Sequence, residues 1–200
     1  ISAFEKFSEL KPKRALEVEL LLDQCENAKK LMRKPTNVSF QNLGKEINSS
    51  EPDYYPFIDK DEMMLVFTSR RKENMGGKKV EMDGYRSSDV YTSTLDNDGH
   101  WNTAKNAGRG INTNLDEQVT GMRSDGMEVY VYLDHIDKFG DIYISSRKEA
   151  NAEFPKAKIV DEVVNAKIET SGCVSEDGSI LIFARRDKMT DNSDLYMSRR

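Results

Sequence analysis

Three motifs recur in one phase through this 200-residue chain, and that recurrence restricts the fold more than any other feature. An Asp-aliphatic-Tyr triplet stands at Asp89-Val90-Tyr91, Asp141-Ile142-Tyr143 and Asp194-Leu195-Tyr196, with its aspartates 52 and 53 residues apart. An apolar run precedes each triplet: Met64-Leu65-Val66-Phe67, Val129-Tyr130-Val131-Tyr132 and Ile180-Leu181-Ile182-Phe183. A polar turn precedes each run: Asp59-Lys60-Asp61-Glu62, Ser124-Asp125-Gly126 and Ser175-Glu176-Asp177-Gly178. Trp101 and Phe154 keep the same period. A repeat of this length is one supersecondary unit, which buries its apolar face only against the next copy.

Each copy reads as short strands. The first strand falls at 54–58, 118–122 and 170–174, and the second at 63–68, 127–132 and 179–184. The third falls at 89–93, 141–145 and 194–198, and the fourth near 103–107 and 156–160. The expected class is therefore mainly β: a partial β-propeller of about three blades over 47–200, the third incomplete. Such an arc is expected to leave two exposed blade faces. Gly126 and Gly178 supply the positive φ of a tight turn. Glu62 takes that place in the first copy, which predicts a different turn geometry there. The first copy also carries an insertion, 72–87, rich in glycine and lysine, expected to be a mobile and dispensable surface loop.

Residues 1–33 read as two helices. Phe4, Phe7 and Leu10 share a face of the first, which Pro12 ends. In the second, Val18, Leu21, Leu22, Cys25, Ala28, Leu31 and Met32 form an apolar stripe at helical spacing. The pair looks like the C-terminal end of a helical-repeat array. Residues 34–46 are a linker, in which Val38 and Phe40 alternate as a strand leading into the β domain would.

The turn-plus-run copies and the Asp-aliphatic-Tyr triplets resemble the WD40-like repeats of TolB-type propellers. With the helical start and Asn42-Leu43-Gly44, they also resemble envelope lipoproteins that join tetratricopeptide repeats, this propeller and an OmpA-like domain. Some of that group serve type IX secretion and gliding. The resemblance implies a periplasmic, outer-membrane-associated scaffold or binding module with other envelope proteins as partners. It also implies peptidoglycan contact through a domain outside this chain. The alternative is the propeller domain of a hydrolase or peptidase.

A net charge of −5 gives no electrostatic case for nucleic acid, and no stretch is long and apolar enough for a membrane span. Cys25 and Cys173 make no disulfide framework. His100 and His135 lack a nucleophile or metal-ligand spacing around them, so no catalytic residue, metal or cofactor is expected. Asp96-Asn97-Asp98-Gly99 reads as a turn. It fails as a calcium loop, because Lys105 stands where the bidentate acid would be. The remaining candidates are charged. Asp53, Glu117 and Glu169 each lie nine residues before the turn position, and Arg70-Arg71 and Arg185-Arg186 follow second strands. In a propeller both sets fall on one rim. There they either tie the rim together as salt bridges or dock a protein or glycan.

Overall fold

The computed structural model describes residues 1–76, 80–135, 139–186 and 192–200, and the chain forms two compact units, Ile1–Asn42 and Leu43–Arg200. In the first unit α1 spans Ser2–Leu10, a single 3-10 turn covers Pro12–Arg14, and α2 spans Ala15–Leu31. Proline cannot continue α1, and the Lys11 amide closes it on the Phe7 carbonyl at 2.8 Å. Val18 is the one buried residue of α2, while Leu31 and Met32 are largely exposed. The expected strand at Val38 and Phe40 does not form: residues 35–44 carry no regular structure and Phe40 is exposed. Alternating apolar residues make a strand only where a neighbour supplies hydrogen bonds and a face to cover.

The second unit is three antiparallel sheets in sequence order. Sheet one contains β1 (Asp53–Ile58), β2 (Met64–Ser69), β3 (Asp89–Thr94) and β4 (Lys105–Asn106). Sheet two contains β5 (Asp116–Met122), β6 (Glu128–His135), β7 (Phe139–Ser146) and β8 (Lys158–Ile159). Sheet three contains β9 (Ile168–Val174), β10 (Ile180–Arg186) and β11 (Ser193–Arg199). The second strand is central every time. Phe67 pairs with Tyr91, Val131 with Tyr143, and Phe183 with Tyr196, as the repeat phase requires. Each first strand carries an irregularity, between Tyr54 and Phe57, between Val119 and Gly121, and opposite Ala184 and Arg185, the last about two residues nearer the start of its strand than the second. Such bulges bend the strand and increase its twist.

Strand β1 packs on β5 and β5 on β9, so the first strands line up side by side. Met64, Val66, Val90, Val119, Val129 and Val131 form the core between sheets one and two. Tyr130, Ile142, Val164, Leu181 and Phe183 form the core between sheets two and three. Phe154 belongs to the first core, with the Arg147 guanidinium 4.5 Å above its ring. The outer face of sheet one is not open, as the three-blade reading expected. Leu65, Phe67 and Tyr91 are buried under Ile47, Ala104 and Trp101. Only the far face of sheet three is uncovered among the described residues.

The first turn does not differ from the other two. Glu62 has φ of 58°, beside 69° at Gly126 and 74° at Gly178. Its amide reaches the Asp59 carbonyl at 3.0 Å, as Gly126 reaches Arg123 at 2.8 Å and Gly178 reaches Ser175 at 2.9 Å. The repeat imposes the left-handed conformation, and Asp59 Oδ1 supports it by accepting from the Met63 and Met64 amides at 2.7 and 2.8 Å. Glu62 is exposed and gains no contact from that backbone. Glu62→Gly is therefore expected to raise stability by about 1 kcal/mol, read as a higher urea midpoint with an unchanged slope.

The insertion after β2 is anchored at its described ends. Asn74 is buried and donates to the Ser69 and Ser87 carbonyls at 2.7 and 2.8 Å while accepting from the Tyr91 hydroxyl at 2.9 Å. A Cβ on Gly76 would lie 2.9 Å from the Asn114 carbonyl oxygen. This corrects the expectation of a dispensable loop for 72–76 and 80–87, because the segment fills hydrogen bonds that β2 and β3 leave open. Residues 77–79 lie outside the described residues.

Candidate functional site

The first strands of the three sheets begin with carboxylates at one height. Asp53 pairs with Ser69, Glu117 with Leu133 and Glu169 with Arg185. Each partner lies two residues beyond Phe67, Val131 or Phe183, so the equal offset in sequence is an equal position in space. The expected openness is not there. Glu117 and Glu169 have no exposed surface, and the Asp53 side chain is 11% exposed. Equal position brought equal burial, and all three acids are shut away from solvent.

Two of the three acids are held by arginine. Asp53 accepts from the Ser49 amide at 2.7 Å and lies 3.3 Å from Arg71 Nη2, which also donates to the Ile47 carbonyl. The Arg71 guanidinium lies 4.6 Å from the Tyr91 ring centre and 5.6 Å from that of Phe67. Glu169 accepts from Arg185 Nε at 2.6 Å, and Arg185 Nη2 donates to the Val163 and Val164 carbonyls at 2.5 and 2.7 Å. The Arg185 guanidinium sits 5.1 Å from Phe183 and 4.8 Å from Tyr196. Each arginine thus covers the aromatic pair of its own sheet and neutralises the acid of its first strand.

Sheet two breaks the pattern. Leu133 stands in the place of Arg185, and His135 in the place of Arg71, where its Nε2 lies 3.2 Å from the Tyr143 hydroxyl. Glu117 is therefore left without a basic partner among the described residues. Its Oε1 accepts from the Thr113 hydroxyl, and its Oε2 has no hydrogen-bond partner among the described residues. Loss of water pushes its pKa up to about 8, and Asp89 and Asp116 nearby push the same way. Asp89 is buried and raised to about 6 by the same loss of water, against hydrogen bonds from the Met75 amide at 2.9 Å and Asn106 Nδ2 at 2.5 Å. Sequence reasoning missed Asp89 as an acid of consequence. Its signal was Asn106, whose amide faces it and is held in turn by Asn112 Nδ2 donating to Asn106 Oδ1 at 2.8 Å.

Arg70 is paired with exposed Asp83, donates to the Arg86 carbonyl at 2.5 Å and lies over Tyr85 at 5.4 Å. Arg186 ends β10 opposite Ser193 and is half-buried. Beside Arg70 an open groove of about 390 Å³ is lined by Tyr54, Asp83, Asp116, Gln118 and Asp134. Asp116 is fixed there by accepting from the Ser88 amide and hydroxyl at 2.8 and 3.0 Å. The acids that line this groove are Glu81, Asp83, Asp116 and Asp134, which the repeat count did not single out. The turn at Asp96 forms, with Oδ1 accepting from the Asp98 and His100 amides at 2.9 and 2.8 Å. Among the described residues, no three His, Cys, Asp or Glu side chains are grouped to hold a metal, and no helix is long and apolar enough to cross a membrane.

No protein-family model matches the sequence, and no curated protein matches it. Among solved structures, one from a mechanistic study of two prolyl endopeptidases aligns at 13% identity and a TM-score of 0.43, over 74% of this chain and 20% of that one. A microbial sialidase aligns at 11% identity and a TM-score of 0.44, over 74% of this chain and 32% of that one. This chain spans less than a third of the length of either.

Proposed function

We propose that residues 47–200 are WD40-like, TolB-type propeller blades serving as a non-enzymatic docking module of a cell-envelope scaffold, periplasmic and associated with the outer membrane. The observation that carries the docking part is the division of the rim acids. Asp53 and Glu169 are neutralised by Arg71 and Arg185 out of solvent, whereas Asp116 and Asp134, with the Arg70–Asp83 pair beside them, line an open groove. A rigid frame below and accessible negative charge above suit a partner that presents lysine or arginine. Such complementarity acts mainly on the association rate and its salt dependence. The envelope setting follows from the resemblance of the repeats and the helical start.

The test is association of the full chain, immobilised, with proteins of an envelope extract at low and moderate salt. Wild type is compared with an Asp83→Asn/Asp134→Asn variant. The reading expects recovery of an outer-membrane or periplasmic protein that falls about tenfold in the variant and falls with salt. Equal recovery by both proteins would remove the groove from the account. Recovery of cytoplasmic proteins alone would remove the envelope assignment.

A further inference from the structure

The far face of sheet three lacks the cover that the matching faces of sheets one and two have. On sheet one, Val66 and Val90 are buried beneath Val129 and Val131 of sheet two. On sheet two, the equivalent Tyr130 and Ile142 are buried beneath Leu181 and Phe183 of sheet three. On sheet three the equivalent residues are Ile182 and Leu195, exposed by 41% and 78%, with Met197 beside them at 57%. Strand β4 pairs with Tyr91 and Thr92, and β8 with Tyr143 and Ile144. Among the described residues no strand pairs with the matching Tyr196 and Met197 on the side away from β10.

An asparagine repeats the same message. Asn112 accepts from the Val90 amide and donates to the Val90 carbonyl, both at 2.8 Å. Asn165 does the same to Ile142, at 2.7 and 2.9 Å. Both come from the segment leading into the covering sheet, and both clasp the aliphatic residue of the Asp-aliphatic-Tyr triplet in the third strand. Leu195 is the corresponding residue of β11, and no described asparagine reaches it.

We infer that the far face of sheet three is a docking surface for a further antiparallel β-sheet of the same repeat. That partner presents two aliphatic residues from its second strand over Ile182 and Leu195. An asparagine preceding its first strand clasps the Leu195 backbone, and a short strand pairs with Tyr196 and Met197. A second copy of this chain is a poor occupant. Leu65 and Phe67, the residues it would have to present, are already buried under Ile47 and Trp101. The inference rests on the repeat geometry and is independent of the envelope reading.

The probe is the full chain with a copy of residues 96–160 appended after Arg200, which supplies a fourth strand, the copied Asn112 and a whole sheet. The extended chain is expected to melt about 5 °C higher than the parent, with exchange of the Leu195 amide slowed at least about tenfold. Leu195→Lys, or Asn→Ala at the copied Asn112, is expected to abolish that gain, while Leu195→Lys leaves the parent's melting unchanged. An appended segment that is clipped by protease and leaves the Leu195 amide unchanged overturns the inference. So does a Leu195 amide already protected in the monomeric parent. A parent dimer that Leu195→Lys dissolves, seen by sedimentation, gives the face to a second copy and overturns it too.

Discussion

Replacing Arg185 with alanine is expected to destabilise the β unit by about 3–5 kcal/mol, the range for breaking a buried pair from one side. Glu169 has no exposed surface, and Arg185 Nε at 2.6 Å is its basic partner. Its second oxygen already lacks a hydrogen bond among the described residues, so the variant leaves a buried carboxylate with only the Lys167 amide at 3.3 Å. The same change removes the donors on the Val163 and Val164 carbonyls and uncovers the Phe183–Tyr196 stack. The measurement is urea unfolding of wild type, Arg185→Ala, Glu169→Gln and Arg185→Met/Glu169→Gln. Arg185→Met/Glu169→Gln should recover most of the loss, because it removes both buried charges and keeps the packing over the aromatic rings. A single variant that unfolds like wild type would show that the pair is not buried.

The second large effect is a stability that falls as pH rises through neutrality. Glu117 and Asp89 have folded pKa values of about 8 and about 6, both above the ordinary carboxylate range. A group raised on folding binds its proton more tightly in the folded state. Its contribution is fully present below the unfolded pKa, near 4, and is lost as pH climbs through the folded value. Between pH 5 and pH 8.5 the protein should lose stability, by ~3 kcal/mol at order of magnitude. Asp83, Asp125 and Asp177 are held below their ordinary values by hydrogen bonds from Arg70, from Arg123, and from Ser175 and Ser179 respectively. Their contributions have the opposite sign and are lost as pH falls below about 4. The optimum should therefore lie near pH 5. Glu117→Gln keeps the Thr113 hydrogen bond without a charge to bury, and should flatten the alkaline limb. Thermal melts of both proteins across this range decide the matter. An alkaline limb that Glu117→Gln leaves unchanged would contradict the assignment.

The strands were legible because period and pattern agree. Phe67, Val131 and Phe183 lie in apolar runs whose length suits a strand buried on both faces, and turn residues bound every run. The height of Asp53, Glu117 and Glu169 was legible from the same count, since position in a repeat is a one-dimensional fact. Their burial was not, because it depends on Ser49, Arg71, Thr113 and Arg185 arriving from loops and from other strands. Nor does the count pair Arg71 with Asp53 but Arg185 with Glu169. Arg71 lies four residues past Phe67 and Arg185 two past Phe183, so chains of different reach meet the same aromatic pair. The turn at Glu62 misled for a different reason. A residue preference there was read as a rule, while the hairpin register and the Asp59 carboxylate hold a glutamate left-handed. At Val38 and Phe40 a local alternation had no neighbour to pair with. Asp83 and Asp134 escaped notice because the groove they line joins sheet one to sheet two, and no repeat predicts its own interface.

The equivalence of the three sheets underlies each of these results, and cross-strand nuclear Overhauser contacts test it most directly. Contacts linking Phe67 with Tyr91, Val131 with Tyr143 and Phe183 with Tyr196 are expected together. A one-residue slip in any sheet would send its second-strand side chains to the opposite face. Contacts from Phe183 to Leu195 or Met197 as its direct partner, in place of Tyr196, would contradict the shared register, the arginine clamp built on it and the docking face of sheet three.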